Sequence, residues 1–401
     1  MLKKLVILVI VALPLLAQPA RAAAAGTGTL FGLGRTSVLT IEPGTGASST
    51  FVNLPTVDVF PGAAYNLLVS DAASHRLFTV RTVYSQQPEG LTATYQLVTV
   101  NTADPTAAPT VSPDMTSGIT GLVYDPSSHS LFGQTNMCCP FQLVRIDPAT
   151  GAQTHFADIP GLQPLFMAIA PAKRAIYMPI EDFSQFPPVN TIATFDTVTG
   201  VVSQSPPMAS GIFALEYDSN SGGLFGKTFC CPGRIVRVDP TTGAQTLVTP
   251  NLGLGSGITI DASSHKIYMT DDELGAFSFD QFIQAVDLES GALTKSTGTL
   301  PANTYVASLA FEAVIVTPAQ LKADVRAAIA SGAISNAGVG SALLAELSAA
   351  EAARARGQCD VSANLYGAFV NDLSAQSGKQ VAAATASQLT GEAHAVMTNC
   401  P

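Results

Sequence analysis

The feature that most restricts the fold is a two-part phrase that returns along most of the chain. Its first half is an apolar strand, an acidic turn and a second strand. It runs from Leu68 to Phe78 around Asp71 and His75, from Ile119 to Phe132 around Asp125 and His129, from Ile212 to Phe225 around Asp218, and from Ile258 to Tyr268 around Asp261 and His265. Met167 to Tyr177 is a weaker copy, with Pro171 in the acidic position. The second half is an alternating strand, a tight turn and a polar strand. Asp147 to Gly151 and Asp239 to Gly243 are nearly identical turns, Asp196 to Gly200, Asp287 to Gly291 and Glu42 to Gly46 are further copies, and Asn101 marks a degenerate one. In each the acid can accept turn N–H groups while glycine takes a positive φ.

Four strands per unit follow, and the spacing fixes the number of units. Positions 42, 101, 147, 196, 239 and 287 are separated by 59, 46, 49, 43 and 48 residues, the length of a four-stranded propeller blade. The reading is therefore a mainly β chain, a six-bladed β-propeller over 26–316. The first unit lacks an inner strand, which reappears near 305–312. Pairing that segment with 28–33 would close the ring and remove two open edges.

The chain opens with Lys3 and Lys4, an apolar run from Leu5 to Leu16, and small residues around Arg21. This is the pattern of a signal peptide over 1–22, so an extracellular or periplasmic location is expected, with no membrane span after cleavage. Loss of Lys3, Lys4 and Arg21 takes the formal charge from -10 to -13. An acidic chain of this kind repels phosphate backbones and argues against nucleic acid as partner.

At Thr317 the composition turns to Ala-rich helical text. Thr317-Pro318-Ala319-Gln320 reads as a capping box, and the helix it opens should stop at Gly332. A second helix from near Ser335 would bury Val339, Leu343, Leu347 and Ala350. A third, capped by Asp360, would present Val361, Leu365, Phe369 and Leu373, and a fourth would cover about 381–397. Ile334-Ser-Asn, Ser341-Ala-Leu-Leu, Arg356-Gly357, Leu365 with Ala368-Phe369-Val370, and Ala375-Gln-Ser-Gly-Lys379 together resemble the small helical domain called FIMAH, over 317–401. The resemblance implies an accessory or interaction module at the end of secreted, often hydrolytic, multidomain bacterial proteins. It brings no catalytic residues.

Six cysteines in an exported chain make disulfides plausible. Cys359 and Cys400 can meet in a compact bundle. Cys138-Cys139 and Cys230-Cys231 occupy equivalent loops between second and third strands, and vicinal bridges, cross-pairing and buried thiols all stay open. His75, His129 and His265 read as turn residues beside their own Asp rather than as a shared metal site.

Ligand-binding candidates lie where the repeat is interrupted. They are Tyr84 with the segment to Glu89, then Glu181, Asp182 and Phe183, and finally Asp271, Asp272 and Glu273 with Phe277. Together they suggest an acidic mouth edged with aromatic rings, suited to a cation, a basic peptide, a protein or a polar small ligand. Three successive carboxylates could hold Ca²⁺, although a solvated loop is the commoner outcome. No motif of nucleophilic, phosphate-binding or zinc-dependent catalysis is present, so binding is expected. The alternatives are a metal-assisted hydrolase or lyase with carboxylates at the propeller mouth, and a structural cell-surface adhesion protein.

Overall fold

The computed structural model describes residues 28–398 apart from 56–66, 88–89, 137–139, 162–165, 183, 185, 187, 229–232, 254, 256, 275–278, 302–304 and 314–315. The expected leader, Glu89, Phe183, Phe277 and the cysteines at 138, 139, 230, 231 and 400 therefore lie outside the described residues, as do the side chains of Asp272 and Glu273.

Six four-stranded antiparallel sheets form the propeller. The first contains β1 (Thr29–Leu33), β2 (Ser37–Ile41) and β3 (Ser48–Asn53), and the second β4 (Val69–Asp71), β5 (Arg76–Gln87), β6 (Gly90–Asn101) and β7 (Thr110–Val111). The third is β8 (Ile119–Asp125), β9 (Ser130–Thr135), β10 (Gln142–Ile146) and β11 (Gln153–Asp158), and the fourth β12 (Ala168–Ala170), β13 (Ala175–Asp182), β14 (Val189–Asp196) and β15 (Val202–Gln204). The fifth is β16 (Ile212–Asp218), β17 (Gly223–Thr228), β18 (Gly233–Val238) and β19 (Gln245–Leu252), and the sixth β20 (Ile258–Asp261), β21 (Lys266–Leu274), β22 (Phe279–Asp287) and β23 (Leu293–Lys295). The last strand, β24 (Ser308–Glu312), returns to the first sheet and pairs with β1 from Thr29↔Glu312 to Leu33↔Ser308. The ring closes as its incomplete first unit requires, and the first sheet gains the fourth strand that the other five already have.

Register shows what the repeat encodes. At one level of the ring the inner strands carry Ala310, Val69, Val123, Ala168, Glu216 and Thr259. Directly opposite them, the second strands carry Phe31, Phe78, Phe132, Tyr177, Phe225 and Tyr268, an aromatic residue in every blade. All six rings are buried, and each contributes roughly 2 kcal/mol of hydrophobic burial.

The turns between first and second strands explain the other recurrent residues. His75, His129 and His265 take the left-handed conformation, with φ of 51, 51 and 52°, as Arg174 does at 52° and Gly222 at 64° in the remaining copies. The fourth copy aligns Ala170, not Pro171, with the acidic position, because Ala170 precedes its short 3-10 turn as Asp71 precedes that of the second blade. Two histidines face an acid of the preceding blade instead of their own: His265 Nδ1 is 2.8 Å from Asp218 Oδ2, and His75 Nδ1 is 3.0 Å from Glu312 Oε1. The third, His129, meets the Tyr124 hydroxyl of its own blade at 3.2 Å. His265 and His75 therefore latch neighbouring blades together, while His129 does not.

The turns between third and fourth strands behave as the sequence implies. Asp147 Oδ1 accepts from the N–H groups of Ala149 and Thr150 at 2.8 and 3.0 Å, and Asp196 Oδ1 from Val198 and Thr199 at 3.0 and 2.8 Å. These backbone donors hold the carboxyls of Asp147, Asp196 and Asp239 below the usual range, and the Ser290 hydroxyl and N–H do the same for Asp287.

The C-terminal helical region comprises α1 (Pro318–Ala330), α2 (Ala337–Ala355), α3 (Cys359–Gln376) and α4 (Ala383–Thr398) around one apolar core. Thr317 Oγ1 accepts from Gln320 N at 3.1 Å. The reciprocal half of the expected capping box is missing, because Gln320 Nε2 donates to the Asp324 carboxylate at 3.0 Å. Helix α3 begins before Asp360, with Gln358 at its N-cap, and its buried stripe is Ser362, Tyr366, Phe369 and Leu373. Val361 consequently faces outward, 47% exposed. The displacement places a tyrosine and a serine in the core, and Ser362 Oγ donates to Ala350 O of α2 at 3.0 Å. Cys359 is the first residue of α3.

Candidate functional site

Residues of all six inner strands line a central cavity of about 240 Å³. At the level of the aromatic girdle its wall is Val69, Val123, Ala168, Thr259 and Ala310, all small or apolar apart from the threonine hydroxyl, and Glu216. Glu216 is the only ionisable acid or base other than tyrosine among the described lining residues. It stands opposite Phe225 in the middle of β16. It is part-buried, and the surface left to it opens on the channel. Enclosure by protein strips the carboxyl of solvation and pushes it up to about 8. Tyr124, Tyr217 and Phe311 line the same wall one residue further along their strands. Two further polar groups lack a hydrogen-bond partner nearby: Ser70 Oγ on the wall, and both amide atoms of the fully buried Gln134. Gln134 packs behind channel-lining Gly121, where an added Cβ would stand 3.5 Å from its Oε1.

The sequence-derived candidates occupy one end of the sheets, the end where second strands pass to third strands. Tyr84 lies in β5, Glu181 and Asp182 end β13, and Asp271, Asp272 and Glu273 lie in β21. The expectation of irregular loops at these places is corrected: the strands continue as long hairpins, with Tyr84 paired to Ala93, Glu181 to Asn190 and Glu273 to Asp280. The Asp271 to Glu273 run is likewise strand and not a loop. Asp271 Oδ2 accepts from Gln284 Nε2 at 2.6 Å, and Asp182 Oδ1 from Ser184 N at 2.9 Å. Among the described residues no group of three His, Cys, Asp or Glu side chains is placed to hold a metal.

The opposite end of the sheets is occupied by paired groups. Asp218 is fully buried and accepts from Asn220 N at 3.0 Å and Ser221 Oγ at 2.6 Å in addition to facing His265. A second cavity, about 530 Å³, lies beside that pair between the fifth and sixth blades. Helix α4 approaches the same end, where burial and the neighbouring His265 hold the His394 imidazole below its ordinary value near the Ser263 backbone. Sequence reasoning missed Glu216 altogether, although aligning the repeats would have set it against Val69, Val123 and Thr259.

Comparison with known proteins is consistent with this architecture. Residues 318–398 match the model of the FIMAH domain. Comparison with curated proteins finds no match. A nidogen/laminin complex contains a chain similar to this one at 13% identity, with a TM-score of 0.54, covering 71% of this chain and 98% of that one. A putative TolB from Agrobacterium tumefaciens is similar at 11% identity, with a TM-score of 0.49, covering 68% and 93%. At 13% identity the first likeness concerns the fold alone. No described helix is long and apolar enough to cross a membrane.

Proposed function

We propose that this is a secreted, non-enzymatic binding protein in which the propeller takes a ligand or partner protein and the helical region serves as an interaction module. The observation that carries the reading is the channel itself: inner strands of all six blades converge on one cavity whose described lining holds a single carboxyl, with no partner among the described residues. Buried polar groups are normally satisfied, and one left open in a concave site is a ground for expecting a ligand. The hairpin ends bearing Tyr84, Glu181 and Asp182 would add an acidic, aromatic rim for a protein or polar ligand. The signal-peptide pattern supports export, and in an oxidising compartment Cys359 would bridge to Cys400.

The test is a search for compounds or proteins that raise the Tm of the full exported chain, repeated on Glu181→Gln and Tyr84→Ala. A partner whose effect is weakened by these variants supports the reading. Turnover of such a compound would remove the non-enzymatic part of it.

A further inference from the structure

We infer that the central channel is a site for a small organic cation, a protonated amine bearing a short apolar substituent, with Glu216 as its counter-ion. The inference rests on the binding role proposed above and names the class of ligand. Three observations carry it. First, the repeat supplies its own control, because five copies of the position hold Val69, Val123, Ala168, Thr259 and Ala310, and only the fifth blade departs to an acid. A purely packing role at that level is met elsewhere in the ring by small or apolar side chains. Second, no hydrogen bond or ion pair satisfies Glu216 among the described residues, whereas Asp218, two residues on in the same strand, has three partners. Third, the wall around the carboxyl is mostly aliphatic, its other polar side chains at and near that level being the neutral hydroxyls of Ser70, Thr259 and Ser308, with Tyr124, Tyr217 and Phe311 at the next level.

Those features select the ligand. A single carboxylate whose neighbouring side-chain oxygens are neutral hydroxyls lacks the several charged or carbonyl oxygens that Ca²⁺ or Mg²⁺ demands. An anion would face a carboxyl and no fixed positive charge. An ammonium group supplies N–H donors and draws the carboxyl into its ionised form, and the resulting charge-assisted hydrogen bonds are stronger than neutral ones. A cavity of about 240 Å³ falls below the range of drug-sized pockets, roughly 300–1,000 Å³, and suits a ligand of a few heavy atoms.

The experiment uses the full mature chain and three probes of matched shape, n-butylammonium, n-butanol and butyrate, followed by isothermal titration and by ligand-observed NMR. Wild type should bind n-butylammonium at least tenfold more tightly than the other two. Glu216→Gln should lose at least tenfold in affinity for the amine while keeping its circular dichroism spectrum and its n-butanol binding. Ala168→Leu, which narrows the channel without touching the carboxyl, should weaken the amine as well. Equal binding of amine and alcohol, preference for butyrate, or unchanged amine affinity in Glu216→Gln would overturn the cation assignment. If Ala168→Leu still abolished the binding of whichever probe was preferred, the channel would survive as a ligand site. If no probe bound and no channel variant altered any interaction of the protein, the channel reading itself would fall with it.

Discussion

Two carboxyls on one inner strand, separated by a single tyrosine, have opposite surroundings. Asp218 ends β16 at the turn end of the propeller, and every oxygen it buries is met by a turn N–H, a serine hydroxyl or the His265 ring of the next blade. Glu216 stands one pleat earlier on the channel wall and has no hydrogen-bond or ion-pair partner among the described residues. The turn end is a place where acids build the ring, by closing turns and latching blades together. The channel is a place where an acid costs stability and contributes nothing to the architecture that a valine does not contribute in the neighbouring copies. The difference separates structural from functional carboxyls in a chain whose acids are mostly of the first kind.

The comparison breaks most visibly at Asp218. Asp218→Ala should destabilise the propeller by about 3 to 4 kcal/mol, because it leaves buried donors and the facing imidazole unsatisfied. A urea titration should show the loss as a lower midpoint with little change in slope. A loss well under about 1 kcal/mol would mean that the latch is ornamental.

Glu216→Gln should act in the other direction. A carboxyl raised from 4.5 to about 8 on folding is protonated in both states at low pH. As pH rises above 4.5 the unfolded chain releases the proton and the folded chain keeps it, so stability falls until about pH 8. At pH 7 the penalty is about 3 kcal/mol by linkage. The amide removes it at the expense of its own burial, so the ligand-free variant should be about 2 kcal/mol more stable than wild type at pH 7 and no more stable near pH 4. Urea midpoints at the two pH values check this, and parallel stability profiles would sink it.

A smaller effect belongs to the helical region where it meets the turn end. The His394 imidazole is held below its ordinary value of 6.5, chiefly by burial and then by His265. Its contribution is therefore present above pH 6.5 and is lost as pH falls through that value toward the folded one. The difference in Tm between wild type and His394→Gln should narrow as pH falls from 7.5 to 5. A difference that stays constant would place His394 outside the contact.

Much of this fold was legible because its energetic requirements recur. A strand-opposed aromatic, an acid that closes a turn and a glycine with positive φ are repeated often enough that six blades and their closure can be read from spacing alone. The long hairpins carrying Tyr84, Glu181 and Asp271 were not legible as strands, because Thr-, Gln- and Ser-rich text such as Thr82 to Gln87 carries little hydrophobic alternation and depends on ladder pairing for its form. The one-residue shift in α3 has a similar origin. Either stripe is acceptable as a helical face, and only packing against α2 through Ser362 decides between them. Glu216 was overlooked for the opposite reason, since a single acid inside a strand reads as its solvent face until the copies are aligned and that face is seen to be the channel.

The smallest expected effect tests whether the outer-turn acids differ from Asp218 in kind or only in burial. Asp147 is exposed and serves as an acceptor for Ala149 N and Thr150 N, a task that an uncharged oxygen can perform. Asp147→Asn should therefore leave Tm within about 2 °C of wild type, whereas Asp218→Asn should keep the turn contacts yet lose much of the His265 latch and fall measurably further. Differential scanning calorimetry of the two asparagine variants reads the contrast directly. If they fell by equal amounts, charge at the turn end would be doing nothing beyond local hydrogen bonding, and the latch between blades would have to be sought in the packing of the aromatic girdle.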